Sequence, residues 1–181
     1  YLQISGGMFH DMLCHDIDMH HFITNEIPES VYTVAHAYED EFKAMDDVDT
    51  VISTFYYSSG LIATIDASRI SAHGYDQRVE VFGEDGMIQV ENEKVNTVHL
   101  ATKDGYLSAV NEYSFPQRYV RTYRREMEHF INMVTTWTPE SDEDLRRHIL
   151  LERVTTAAEW SWKRRRVVKI SEVDEERNAK K

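Results

Sequence analysis

Three short turn signals in the middle of the sequence limit how its strands can pair. They lie at Ser58–Ser59–Gly60, Glu84–Asp85–Gly86 and Lys103–Asp104–Gly105, each between runs of strand-forming residues. Turns of this length join antiparallel neighbours, whereas parallel strands need a crossover of roughly a dozen residues or more. The spacing therefore predicts a largely antiparallel sheet. No alternation of strand, helix and strand is visible.

The other elements follow from residue patterns along the chain. Strand-forming runs occupy the stretches 30–42, 49–57, 61–71, 78–83, 87–91, 94–101 and 106–113. Apolar residues at helical spacing predict helices over 8–23, 117–136 and 141–163, the last opened by a capping box at Ser141 and Asp144. A short strand at 167–170 closes the pattern. We therefore predict one α+β domain over residues 1–170, followed by a flexible tail over 171–181.

The composition of the chain argues against several classes of protein. The chain has 181 residues, a formal net charge of −12 and one cysteine, Cys14. Nucleic-acid-binding surfaces are usually basic, and a membrane span needs roughly 18 apolar residues, so neither a nucleic acid nor a membrane is expected as a partner. A single cysteine excludes an internal disulfide and is typical of a reducing compartment, so we expect a cytoplasmic protein. The sequence starts at Tyr1, a few residues before the segment richest in acidic, basic and metal-ligand side chains, which indicates a piece of a longer protein.

That segment is GGMFHDMLCHDIDMHHFI, residues 6–23, which sets histidines, aspartates and the cysteine among apolar residues. At ~100° per residue, Asp11, His15 and Asp18 fall on one stripe of a helix that is otherwise mostly apolar, so the stripe is expected to face a cavity. An imidazole beside a carboxylate is the minimal general base, and Asp18 could accept hydrogen bonds from the hydroxyls of a polyol. The alternative is a surface helix with an Asp–His pair of small energetic value.

Metal binding is a rival interpretation of the same segment. His10 and Cys14, or Asp11 and His15, have the i, i+4 spacing of metal ligands on a helix. A closed site needs further ligands, and no second compact cluster of them is evident, so we predict no metal site. The glycines form neither Gly-x-Gly-x-x-Gly nor a P-loop, so we predict no cofactor-binding residues in this chain.

The first segment resembles a known catalytic helix. SGGMFHDMLCHDIDMHHFI, with its Gly-Gly, its D-M-x-x-H-D and a further aspartate, is similar to the segment that opens this helix in the glucose–fructose oxidoreductase / inositol dehydrogenase / MocA family. HGYDQRVEVFGEDGMIQVEN, FPQRYVRTYRREMEHFINMV and the second helix with its RRVVKI end agree with the family in order. The likeness covers nearly all of the chain and is nearest to the inositol 2-dehydrogenases.

The resemblance implies a fold and a different role for each of two domains. The family joins an N-terminal Rossmann domain, which binds NAD or NADP, to a C-terminal α+β domain. That second domain has an open, mostly antiparallel β-sheet with helices on one face and makes the oligomer interface. This chain resembles the second domain alone, with the Rossmann domain absent, so no cofactor is expected to bind to it and it is expected to be inactive by itself. A homodimer or homotetramer through the open sheet is implied.

The resemblance also implies roles for five residues. His15 would be the general base that takes the proton of a substrate hydroxyl, and Asp11 its catalytic partner. Asp18, Tyr75 and Tyr119 would bind the substrate, a polyol or cyclic sugar-like alcohol such as myo-inositol. The family's catalytic lysine lies in a Glu-Lys-Pro motif, which this sequence does not contain. A truncated, non-catalytic oligomerisation module is therefore the alternative function.

Overall fold

The computed structural model describes residues 1–179, which form two compact units. The first unit combines residues 1–70 with those from 140 onward, and the second consists of residues 71–139. The predicted domain over residues 1–170 spans both units, and its behaviour as one folding unit stays a prediction. None of the helices in the described part of the chain has both the length and the apolar character that crossing a membrane requires.

Every strand pair in residues 1–179 is antiparallel. The strands are β1 Ser30–His36, β2 Thr50–Tyr56, β3 Ile62–Ser68, β4 Val79–Gly83, β5 Gly86–Val90, β6 His99–Thr102, β7 Gly105–Ser108 and β8 Val168–Lys169. In the first unit, four strands form a sheet in the order β3-β2-β1-β8. In the second, β4 pairs with β5 and β6 pairs with β7, each pair a separate hairpin. The predicted antiparallel class is confirmed, with three small sheets in place of one.

Helices precede β1, separate β1 from β2, and follow β7 and β8. They are a 3₁₀ turn Leu2–Ile4, a π-helix Met8–Leu13, α1 Cys14–Thr24, α2 Asp40–Ala44, α3 Phe115–Arg118, α4 Val120–Thr136, α5 Asp142–Arg164 and α6 Ile170–Ala179. The predicted capping box opens α5, because the Ser141 hydroxyl accepts the Asp144 N–H while the Asp144 carboxylate accepts the Ser141 N–H.

The core of the first unit lies on one face of its sheet. Burial alternates along the strands, so that Val31 of β1 and Val51 and Phe55 of β2 point inward while their neighbours are exposed or partly exposed. These side chains pack with Val154 of α5 and Ile17 of α1 in one apolar cluster. Burying a side chain of this size stabilises a fold by about 1.5–3 kcal/mol. The helices therefore cover one face of the sheet, as the α+β class requires.

Three predicted boundaries differ from the structure. The strand predicted over 30–42 ends at His36, because α2 begins at Asp40. The helix predicted over 117–136 is interrupted at Tyr119, whose φ of −112° separates α3 from α4. The strands predicted over 94–101 and 106–113 shorten to β6 and β7, leaving one isolated bridge between Lys94 and Asn111.

The segment assigned to a flexible tail forms α6 in the structure. Val173 is fully buried, and Ile170 is nearly so. Two salt bridges fasten the helix to the preceding segment, Arg164 to Glu176 and Arg166 to Glu172. The tail was predicted from its position at the end of the sequence, whereas its acidic side chains pair with basic residues at and just beyond the end of α5. Residues 180 and 181, the end of the assigned tail, lie outside the described residues.

A buried serine completes the bonding of β1 where its neighbouring strand is too short. β8 pairs only with Ser30 and Val31. Further along β1, the N–H of Thr33 donates instead to the Ser161 hydroxyl, at 2.9 Å, and this hydroxyl donates to the Arg166 carbonyl, at 2.6 Å. Ser161 thus supplies the acceptor that a longer β8 would have provided.

We expect Ser161→Ala to lower the free energy of unfolding by about 1–3 kcal/mol, since it leaves the buried Thr33 N–H without an acceptor. Urea unfolding followed by circular dichroism measures this loss. Ser171→Ala, at an exposed position of α6, is the matched control and should change stability by less than about 0.5 kcal/mol. Equal effects of the two substitutions would show that the Ser161 bonds contribute nothing.

Candidate functional site

Two glycines and an aspartate shape the start of the candidate catalytic helix. Gly6 and Gly7 have φ values of +96° and +72°, a region that side chains strongly disfavour. A Cβ atom on Gly7 would lie 2.9 Å from Oδ1 of Asp47. That oxygen accepts the N–H of Met8, at 3.0 Å. The glycine pair therefore lets Asp47 bond the first free N–H of the π-helix.

The predicted stripe is only partly assembled in the structure. Asp11 lies in the π-helix and is half-buried, whereas His15 and Asp18 lie on α1 with exposed side chains. Asp11 accepts hydrogen bonds from the Tyr1 hydroxyl and from the Arg69 guanidinium, whose two terminal nitrogens are both 3.3 Å from Oδ2. Among residues 1–179, the exposed imidazole of His15 makes neither a hydrogen bond nor an ion pair. The roles of this acid and base stay predictions.

The π-helix explains why a projection at a constant angle per residue does not place these side chains correctly. Its hydrogen bonds run from i to i+5 instead of i to i+4, so residues within Met8–Leu13 are rotated relative to the positions that an α-helix gives them. Asp11 belongs to this wider segment and His15 to the α-helix that follows. Single π-helical turns occur frequently at functional sites, which favours this segment as part of a site.

His10 has carboxylate partners that the sequence did not reveal. Its ring nitrogens lie 3.2 Å from Glu152 and 3.4 Å from Glu159, both on α5. The hydrogen bond with Glu159 raises the pKa of His10 despite the opposing effect of burial, and the same bond holds the pKa of Glu159 at about 2. Cys14 donates to the His10 carbonyl oxygen. Local pattern could not reveal these ion pairs, because their partners are 142 and 149 residues apart.

The proposed metal spacing leads to no ligand cluster in the structure. No group of three or more histidine, cysteine, aspartate or glutamate side chains in the described part of the chain is arranged to hold a metal ion. His10 and Cys14 are joined through the backbone carbonyl of the histidine, and burial raises the pKa of the Cys14 thiol. Deprotonation, which metal ligation by sulfur requires, is therefore disfavoured.

The two predicted tyrosines meet within the second unit. The Tyr75 and Tyr119 rings are 5.8 Å apart at 86°, an edge-to-face arrangement. The N–H of Tyr75 donates to the Glu112 carbonyl at 2.8 Å, which fixes the loop that carries it. The adjacent Asp76 accepts from Arg78, and this bond is the main reason that the pKa of Asp76 lies well below its ordinary value. Both tyrosines are half-buried.

Comparison with known proteins gives the family context. The sequence model of the GFO/IDH/MocA C-terminal domain matches residues 1–89. Myo-inositol 2-dehydrogenase of Thermotoga maritima is 38% identical over 176 residues, which are 96% of this chain and 52% of that protein. Inositol 2-dehydrogenase of Rhizobium meliloti is 40% identical over 134 residues, 72% of this chain and 40% of that protein. The chain thus spans about half the length of the curated relatives it matches, or less.

Solved structures agree with this relationship. A myo-inositol dehydrogenase from Corynebacterium glutamicum superposes with a TM-score of 0.82 at 31% identity, over 93% of this chain and 51% of that one. A myo-inositol dehydrogenase from Lactobacillus casei, solved in complex with NAD(H) and myo-inositol, shares the fold at 23% identity, with a TM-score of 0.76 over 90% of this chain and 48% of that one. The sequence and the fold together show that this chain belongs to the GFO/IDH/MocA family, as its C-terminal domain.

Proposed function

We propose that this chain is the substrate-binding and catalytic half of an NAD(P)-dependent oxidoreductase that oxidises a polyol such as myo-inositol to a keto-polyol. The observation that carries the proposal is the glycine-led π-helix, which holds Asp11 just before the exposed His15 and Asp18. Family membership adds support, because the relatives from Thermotoga maritima and Rhizobium meliloti are named as inositol dehydrogenases.

His15 is suited to be the general base of this reaction. Its imidazole is exposed on α1, so a hydroxyl group of a substrate can reach it. Oxidation of a carbinol releases the hydroxyl proton, which His15 would accept. The Asp11 carboxylate, four residues earlier in the sequence, would favour the resulting imidazolium. Asp18, exposed one turn further along α1, would accept hydrogen bonds from neighbouring hydroxyls of the ring. Tyr75 and Tyr119 remain proposed substrate contacts.

The nicotinamide cofactor, NAD or NADP, would supply the hydride acceptor from outside these residues. A dinucleotide site of the usual kind needs parallel strands joined by a helix, with a glycine-rich turn at the helix start. The strand pairs of residues 1–179 are all antiparallel, and the sequence has no such turn. The described residues therefore do not fit a dinucleotide, and the chain by itself is expected to be inactive.

The test is NAD(P)+ reduction by the full-length protein that contains this chain. Absorbance at the nicotinamide band is followed with myo-inositol, other inositols and a simple secondary alcohol as substrates. We expect reduction with at least one cyclic polyol and none with the simple alcohol, since the latter cannot bond Asp18. Absence of turnover with every polyol, for either cofactor, would refute the proposal.

A second candidate function, an oligomerisation module, is favoured by the uncovered face of the four-stranded sheet. Five apolar side chains on this face are between 41% and 63% exposed. They are Tyr32, Val34, Ile52, Tyr56 and Ile62. Proteins rarely expose so many neighbouring apolar side chains unless a partner covers them. We propose that a second copy of the chain covers this face in a homodimer or homotetramer. This function is compatible with catalysis in the full-length protein.

We expect Ile52→Lys to dissociate such an assembly, because it places a charge at the centre of the face between Val34 of β1 and Asp66 of β3. Light scattering coupled to size-exclusion chromatography measures the mass. The matched control is Leu145→Lys, which alters a similarly exposed apolar side chain on α5 and should leave the mass unchanged. A monomeric parent chain would refute the module.

A further inference from the structure

Arg69 is a buried cation with an unusual set of partners. Its side chain is only 10% exposed, and it lies just beyond the end of β3. Both terminal nitrogens donate to the same oxygen of Asp11, and one of them is 4.0 Å from Asp47. The guanidinium also lies 5.7 Å from the centre of the Phe42 ring. Its Nε has no hydrogen-bond partner among residues 1–179.

These contacts are poor as a source of stability. Burying a guanidinium is costly, and the cost is offset only when the geometry is excellent and every donor is bonded. Here both donors share one oxygen at 3.3 Å, which is longer than a good charge-assisted bond, and Nε is unbonded. An apolar side chain of similar volume could fill the same space without this penalty, so stability does not explain the arginine.

The contacts are well arranged to hold Asp11 in place. Oδ2 of Asp11 is occupied by Arg69, and Oδ1 accepts the Tyr1 hydroxyl. The carboxylate is therefore fixed by side chains from two other parts of the chain, and its orientation does not depend on His15. Arg69 itself is fixed through its backbone N–H, which donates to the Asp49 carbonyl at 2.8 Å. Catalytic groups act efficiently when such supports lock them before the substrate binds.

We propose that Arg69 is a positioning residue, which acts on the reaction only by holding the Asp11 carboxylate in its working orientation. The inference rests on the proposed function, because it assigns Arg69 a role through the proposed partner of the general base. Arg69 need not touch the substrate. Its neighbour Asp47 contributes by bonding the N–H of Met8, so both carboxylates around Arg69 serve the start of the π-helix.

A double-mutant cycle in the full-length protein tests this role. The variants are Arg69→Met, Arg69→Lys, Asp11→Asn, and Arg69→Met combined with Asp11→Asn, each assayed for kcat and KM with a cyclic polyol. We expect Arg69→Met to lower kcat by up to about a hundredfold with little change in KM, as displaced catalytic groups do. In the Asp11→Asn background the same substitution should have almost no further effect, because the group it positions is no longer a carboxylate. Arg69→Lys should restore part of the rate.

Arg153→Met is the matched control for damage to the fold. Arg153 is also a partly buried arginine that pairs with a carboxylate, because its Nε lies 3.0 Å from Oδ1 of Asp174. We expect this variant to keep the parent kcat. The positioning role would be overturned if Asp11→Asn were slow but Arg69→Met lowered kcat equally in both backgrounds, or in neither. Parent-like turnover of Asp11→Asn would overturn the proposed function of Asp11 instead.

Discussion

Replacing His15 with alanine is expected to lower kcat of the full-length protein by about 10²–10⁴-fold, the usual contribution of a general base. The imidazole accepts the hydroxyl proton only as the alcohol is oxidised, so its removal should affect kcat much more than KM. Steady-state NAD(P)+ reduction with a cyclic polyol measures both constants. Added imidazole, which can enter the space left by the exposed side chain, should restore part of the rate.

His21→Ala is the matched control for this prediction. His21 lies on the same helix, but its Nδ1 is 3.1 Å from the Glu26 carbonyl oxygen at the end of α1. Its removal should therefore alter stability slightly and leave kcat near the parent value. If His15→Ala turned over as fast as His21→Ala, another group would have to remove the proton, and the assignment of the base would fail.

Replacing Asp49 with alanine is expected to cost about 2–4 kcal/mol of unfolding free energy, the largest effect on stability that we predict. Asp49 is fully buried. Its Oδ2 accepts the N–H groups of Tyr38 and Glu39, at 2.7 and 2.8 Å, and its Oδ1 accepts the Thr50 hydroxyl, at 2.9 Å. Alanine would leave these donors without acceptors in the segment that leads into α2. Urea or thermal unfolding of the chain measures the loss.

Asp49→Asn and Asp66→Ala complete this experiment. The asparagine keeps one acceptor oxygen, so it should lose less stability than alanine. Asp66 is exposed on β3, and its replacement should change stability by less than about 0.5 kcal/mol. A loss for Asp49→Ala no larger than that for Asp66→Ala would show that these hydrogen bonds do not hold the corner between β1 and α2.

The Asp49 carboxylate also makes the free energy of unfolding depend on pH, and the direction of this dependence can be predicted. Burial by itself would raise the pKa of Asp49, but hydrogen bonds from Glu39, Thr50 and Tyr38 outweigh it, and the net pKa is lowered. A carboxyl whose pKa is lower in the folded state stabilises the fold above its unfolded pKa of about 3.9, and this contribution is lost as the pH falls through the folded pKa. The stability difference between the parent chain and Asp49→Ala should therefore shrink in acid.

The antiparallel class followed from the sequence because short turns and alternating burial are local patterns. Gly60, Gly86 and Gly105 all adopt positive φ at the turns that they were predicted to form. α2 was missed because 30–42 lacks glycine and proline, so nothing in its composition marks the end of β1. The structural reason for that end is the Asp49 carboxylate, which follows 13 residues after His36 in the chain and bonds the N–H groups in between.

The candidate site was predictable in its residue types and much less so in its contacts. Asp11, His15 and Asp18 stand out in any helical projection, but Arg69 is 58 residues from the carboxylate that it contacts. An isolated arginine at the end of a strand has no sequence signal of its own. The π-helix was not predictable either, because it depends on the bond between Asp47 and the Met8 N–H and on packing of Phe9 against Trp162.

The wider turn of Met8–Leu13 also bears on how related chains are aligned. A single π-helical turn differs from an α-helix by about one inserted residue, so a relative could lose that residue and keep the helix continuous. In such a relative, the residues that match Asp11 and His15 would stand one residue closer in the sequence. If such a relative keeps the proposed acid and base, the number of residues between them depends on the type of helix, and a motif search that fixes this number would pass over that relative.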